Sequence, residues 1–192
     1  MQRKAIQLSI IAFIAALIGG CVPSWNALFT EKDLIFDAKL VGTFNGDDDE
    51  TWEFAKDGDK KYKLTYADKE GKATFEAHLL KIQGRQFLDV QLDEKGYEDL
   101  KHVNALAKLT MVPARIFFRV DEIGTSVKLA AVNPDWLGKH LEKNPKAIAH
   151  LQKGELRIFT AETKDLQAFV LKHVEGEALF GGPFTLKRKS GT

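Results

Sequence analysis

Four kinds of side chain in this sequence could do chemistry, and each needs a particular neighbourhood. Cys21 is the only cysteine. A nucleophilic thiol wants an adjacent cation or a helix amino end, whereas Cys21 closes an apolar run, and a single cysteine leaves no internal disulfide. The run Asp47-Asp48-Asp49-Glu50 gathers carboxylates of the kind calcium takes, but it lacks the alternating ligands and central glycine of an EF-hand loop. Beside Asn45-Gly46 it reads as a solvated hairpin turn. His78, His102, His140, His150 and His173 form none of the close pairs by which zinc sites announce themselves. Ser24, Ser126 and Ser190 lie outside any Gly-x-Ser-x-Gly elbow, and neither a phosphate loop nor a dinucleotide fingerprint is present. Carboxylates abound, yet no acid–base pair stands out. The expectation is a protein with no catalytic residues, no metal and no cofactor.

The amino end is built in three zones. Arg3 and Lys4 give a positive start, Ile10 to Ile18 are apolar, and the small pair Gly19-Gly20 precedes Cys21 before the sequence turns to Val22-Pro23-Ser24. A mature membrane span wants about 20 apolar residues; this stretch is shorter and suits the core of a cleaved export signal. Residues 1–20 are therefore expected to be a signal peptide, removed between Gly20 and Cys21. The 28 Lys and Arg nearly balance the 27 Asp and Glu, and losing Arg3 and Lys4 leaves the body near neutral. Nucleic acid is not an expected partner, because displacing counterions from phosphates needs a basic surface.

Ile18-Gly19-Gly20-Cys21 resembles the lipobox of bacterial lipoproteins, with Ile18 where leucine is commonest. The resemblance implies diacylglycerol on the Cys21 sulfur, cleavage before it, and acylation of the new amino terminus. Such chains hold a protein firmly, at about 0.8 kcal/mol for each buried methylene. It further implies a cell-envelope protein attached to a membrane by palmitate-type chains. Since Val22 is not the aspartate that favours inner-membrane retention, that membrane is the outer one, facing the periplasm, if the source is Gram-negative. Residues 21–33 are expected to be a short lipidated tether.

Residues 34–192 are expected to form one domain, since the chain is long enough for a single sizeable core. Gly46, Gly58, Gly71, Gly84 and Gly96 recur every 12–13 residues among polar turn formers. Between them Trp52 and Phe54, then Tyr62, Leu64 and Tyr66, then Leu88, Val90 and Leu92 alternate with polar residues. That is the pattern of an antiparallel meander with one buried face. Phe75, Ala77 and Leu79 share one parity while Leu80 and Ile82 take the other, which either a bulge or burial on both faces would explain. Helical spacing predicts a helix over 97–108. A hairpin follows, carrying Ile116, Phe118 and Val120, then Val127, Leu129 and Ala131; its Arg115, Arg119 and Asp121 face reads as solvated. Asn133-Pro134 and Asn144-Pro145 predict helices over 134–143 and 145–152. Leu156, Ile158 and Phe159 suggest a strand. Thr163 would cap a helix with Leu166, Phe169 and Val170 inward, and Phe184 and Leu186 a last strand. The fold class expected is α+β, mainly antiparallel β, with helices in the carboxyl half.

Gly42-Thr43-Phe44, opening the meander, resembles the Gly-x-Trp start of lipocalin-like domains, with Phe44 in place of tryptophan. The resemblance implies a partly closed barrel able to hold one small apolar ligand. Tyr62, Tyr66, Leu88, Val90 and Phe118 would then face the ligand; otherwise they simply fill a core. Two functions remain open. One is an envelope module that binds another envelope component; the other is a carrier of a small apolar ligand. A dry interior cavity would favour the carrier, and a filled interior with an exposed apolar patch the interaction module.

Overall fold

The structure is a computed structural model that describes residues 22–47, 49–99, 111, 113–175 and 178–189. The expected leader, residues 1–20, and Cys21 lie outside the described residues. After the short β1 (Leu34–Ile35) come β2 (Gly42–Asn45), β3 (Thr51–Lys56), β4 (Tyr62–Asp68), β5 (Gly71–Ile82) and β6 (Arg85–Leu92). Helix α1 (Glu94–Asp99), β7 (Arg115–Ile123), β8 (Ser126–Ala131) and α2 (Pro134–Lys143) follow. The chain ends with β9 (His150–Lys153), β10 (Leu156–Phe159), α3 (Thr163–Lys172) and β11 (Phe184–Arg188). Strands β2 to β8 run in sequence order, β11 pairs with both β8 and β2, and β5 pairs with β6, so eight antiparallel strands close into a barrel. The chain is thus mainly antiparallel β, and among the described residues the helices are few and chiefly in the carboxyl half. Closure leaves those eight strands no open sheet edge.

Alternation builds the barrel wall. Trp52 and Phe54 on β3, and Tyr62 and Leu64 on β4, are buried inside, while Glu53 and Lys63 point out. Strands β5 and β6 are joined at Gln83-Gly84, both with positive φ (48° and 83°). That pair makes a primed hairpin turn whose twist matches the strands. The first four spaced glycines stand at or beside hairpin turns. Gly96 does not. It lies in α1, where an added Cβ would fall 2.5 Å from the Thr74 carbonyl oxygen, so its role is close approach of two backbones.

Two apolar cores share one wall. Inside the barrel pack Phe44, Phe54, Tyr62, Leu79, Leu88, Phe118 and Leu129 among others. Outside, Leu80, Ile82, Phe87, Phe117 and Ala130 meet Leu137 of α2, Leu166, Phe169 and Val170 of α3, and Val22 and Leu28. The wall from β5 to β8 is therefore buried on both faces. This decides the parity switch at residue 79: the β5–β6 register runs unbroken from Phe75↔Leu92 to Ile82↔Arg85. The register shift lies elsewhere, between Val120 and Glu122 on β7.

Several expectations are corrected. Residues 22–33 are not a tether. Val22 and Leu28 are 4% and 0% exposed, and the Ser24 and Arg115 backbones exchange two hydrogen bonds of 2.8 Å. Burial of these side chains makes the segment part of the body. The helix expected over 145–152 is a turn followed by β9. Asn144 ends α2 instead of starting a helix, its side-chain amide donating to the His140 carbonyl (3.1 Å). Gly154, at φ 61°, then turns β9 into β10. Thr163 is the first residue of α3, not its cap, and its hydroxyl donates to the Ala27 carbonyl (2.9 Å). The helix expected over 97–108 begins earlier, at Glu94, and residues 100–108 lie outside the described residues.

Candidate functional site

Tyr62, Tyr66, Leu88, Val90 and Phe118 do come together on the inner barrel wall. Tyr62 and Leu88 are fully buried, Val90 and Phe118 nearly so, and Tyr66 packs against them half-buried. Aromatic rings fill much of the space between them. Trp52 lies 6.3 Å from Phe54, 5.3 Å from Tyr66, 6.0 Å from Phe118 and 6.2 Å from Phe184, centroid to centroid. The Tyr62 hydroxyl donates to the Asp37 carbonyl (3.1 Å) and accepts from the Asp37 N–H (2.7 Å). Burial pushes its pKa up. These residues hold the interior by packing and by hydrogen bonds to the fold itself, as core side chains do.

The two ends of the barrel differ. At one, the Arg188 guanidinium lies 4.5 Å above the Phe44 ring and donates to the carbonyls of Val41 (3.0 Å) and Lys39. An added Cβ on Gly42 would strike the Arg188 side chain. Nothing in the spacing of residues 42 and 188 marks this contact in the sequence. Toward the other end Tyr66, Phe75, Ile116 and Phe184 are partly buried. There the Tyr66 hydroxyl donates to Glu50 Oε1 (3.1 Å) and the Trp52 indole N–H reaches Glu50 Oε2 (3.5 Å). Burial first, then the Glu50 charge, raises the Tyr66 pKa strongly. The acidic run thus occupies a hairpin turn as expected, closed by Gly46 N–H to Glu50 carbonyl (2.9 Å). Asp48 lies outside the described residues.

A polar seam runs over the outer wall. Asp89 is fully buried, accepts from Arg115 Nε (2.6 Å) and takes the Leu28 N–H (3.0 Å). Arg115 also donates to Gln91 and lies over the Phe29 ring at 5.2 Å. His78, opposite Asp89 in register, packs on Phe29 with ring centroids 4.5 Å apart. Burial pushes the Asp89 carboxyl up, against the opposing pull of Arg115 and the Leu28 N–H. Burial lowers the His78 pKa, partly offset by Glu76. The seam fastens residues 24–29 to the barrel. The Arg115, Arg119 and Asp121 face is therefore not a freely solvated strand face. The Arg115 and Arg119 side chains are 12% and 15% exposed, and Arg119 lies 5.5 Å over Phe180. The second core covers that side of the wall.

Histidines distant in sequence meet between α2 and the end of α3. His140 and His173 lie 4.8 Å apart, with Trp136 stacked on His140 at 4.7 Å and Phe169 4.9 Å from His173. Burial, then His140, lowers the His173 pKa. No group of three or more His, Cys, Asp or Glu suited to a metal occurs among the described residues. A surface groove of about 510 Å³ beside β4, β5 and α1 carries both signs of charge, from Lys61, Lys63, Glu76 and Asp93. No helix among the described residues is long and apolar enough to cross a membrane. No family model, curated protein or solved structure matches the chain.

Proposed function

We propose that this chain is an exported envelope protein, anchored by lipid on Cys21, whose barrel is a non-catalytic module binding another envelope component at its outer surface. The observation that carries the choice is the interior. Phe44, Trp52, Phe54, Tyr62 and Phe118 are buried in the barrel and pack ring against ring. A carrier needs concave apolar room for its cargo, whereas a packed barrel is a rigid mount for surface contacts. The anchor rests on the basic, apolar and small-small-cysteine zones that end at Cys21. It is further supported by the burial of Val22, next in sequence to Cys21, which ties that end of the described residues to the body.

Two experiments test this. Metabolic labelling with a clickable palmitate should mark the native protein and not a Cys21→Ala version; equal labelling overturns the anchor. Native mass spectrometry of protein from its own host should show a second protein bound. A stoichiometric small apolar molecule would instead favour the carrier, whose one supporting observation is the half-buried Tyr66–Glu50 pair at the looser end of the barrel.

A further inference from the structure

Trp25, Leu151 and Leu156 are 48%, 54% and 53% exposed, and the fold brings all three to one surface. Ser24 bridges Phe159 in parallel, and the Trp25 N–H donates to the Phe159 carbonyl (2.8 Å), so residues 24–25 extend the β9–β10 hairpin by a third strand. Ser24 and Phe159 point into the outer core, both fully buried. By strand alternation Trp25 then points outward. In the hairpin Leu151 opposes Ile158 and Lys153 opposes Leu156. Phe159 faces the core, so Leu151, Leu156 and Ile158 share the outward face with Trp25.

We propose that this face, Trp25 with Leu151, Leu156 and Ile158, rests in the headgroup layer of the membrane that holds the protein; the inference stands on the Cys21 anchor proposed above. The first argument is reach. The Phe159 N–H donates to the Pro23 carbonyl (2.9 Å) and Val22 is buried, so residues 22–25 are held without slack. Cys21 stands four residues before Trp25, a span of at most about 14 Å. Acyl chains on that sulfur hold this surface, and no distant one, against the bilayer. The second argument is chemistry. An indole with an apolar body and a polar N–H favours the membrane–water boundary. Two leucines beside it add apolar area that water otherwise wets. Lys153 stands on the same face, and its long stem carries a positive head toward lipid phosphates.

The test uses the full protein isolated from its host membrane and reconstituted in phosphatidylcholine vesicles carrying acyl chains brominated at shallow or deep positions. Tryptophan fluorescence should be quenched most by the shallow bromines. Trp25→Phe should lose that quenched component, since Trp52 is buried in the barrel and Trp136 lies against the α2–α3 histidines. Leu151→Glu with Leu156→Glu should also lose it while the protein still floats with the vesicles. A protein that carries lipid on Cys21 by mass spectrometry and floats, but whose Trp25 escapes quenching, overturns the docked face and leaves the anchor standing. The same holds if Trp25 is shielded instead by a second copy, seen as a dimer. Absence of lipid on Cys21 with no flotation overturns the anchor and the docked face together.

Discussion

At Asp89 a single carboxylate, with no exposed surface, ties β6, β7 and the amino-terminal segment together through Arg115 and the Leu28 N–H. Removing one partner of a buried pair strands the other charge in a dry site. Asp89→Ala is therefore expected to lower stability by about 3–5 kcal/mol, read as a fall in the urea midpoint. His78 gives a pH dependence of definite sign. Its folded pKa lies below the ordinary 6.5 because burial disfavours the imidazolium. Below pH 6.5 the unfolded chain takes up a proton that the folded chain refuses, so stability present above 6.5 is lost as pH falls through the folded pKa. His173 acts in the same direction. A His78→Gln protein should show a shallower loss of stability over that window in paired denaturant titrations. An unchanged slope would assign the effect elsewhere. None of these roles was legible in the sequence, where Asp89 looked like the polar half of an alternating strand. Its partners stand 26 and 61 residues away.

Among the elements, those with a strong local pattern were legible: the meander from β2 to β6, the β7–β8 hairpin, α2 behind Asn133-Pro134, and α3. The misreading at 145–152 came from a motif with two uses. An asparagine before a proline can open a helix or end the one before it, and here Asn144 caps α2 from behind. The glycine spacing misled once as well. Gly96 continues the 12–13-residue rhythm, yet it sits in α1 against the Thr74 carbonyl. Replacing glycine by alanine in a helix ordinarily stabilises by about 0.5–1 kcal/mol. Here the added methyl meets backbone, so Gly96→Ala should lower the melting temperature instead. A rise would mean that α1 can move away from β5 freely.

In the molecule as a whole, a barrel with its own interior carries a second core on one side, and the amino-terminal segment belongs to that second core. Leu28→Ala should cost about 2–5 kcal/mol, the range for a fully buried leucine, measured by denaturant unfolding. A free tether would give no change. Under the proposed anchor, a pull on Cys21 would be borne at once by the strand pairing of Ser24 with Arg115 and Phe159.

Sequence alone determined the fold class, since period-two alternation broken by turns every dozen residues admits an antiparallel sheet and little else. It also located the inner wall, placing Tyr62, Leu88, Val90 and Phe118 on one face. Tertiary structure alone decided that this face closes around packed rings, that Leu80 and Phe87 look outward into a second core, and that residues 22–33 are body. The reason is physical. Alternation is a local property of the chain, written between neighbours two residues apart. What covers a face depends on segments more than a hundred residues distant, such as α3 over Leu28, and no spacing records which of them arrives.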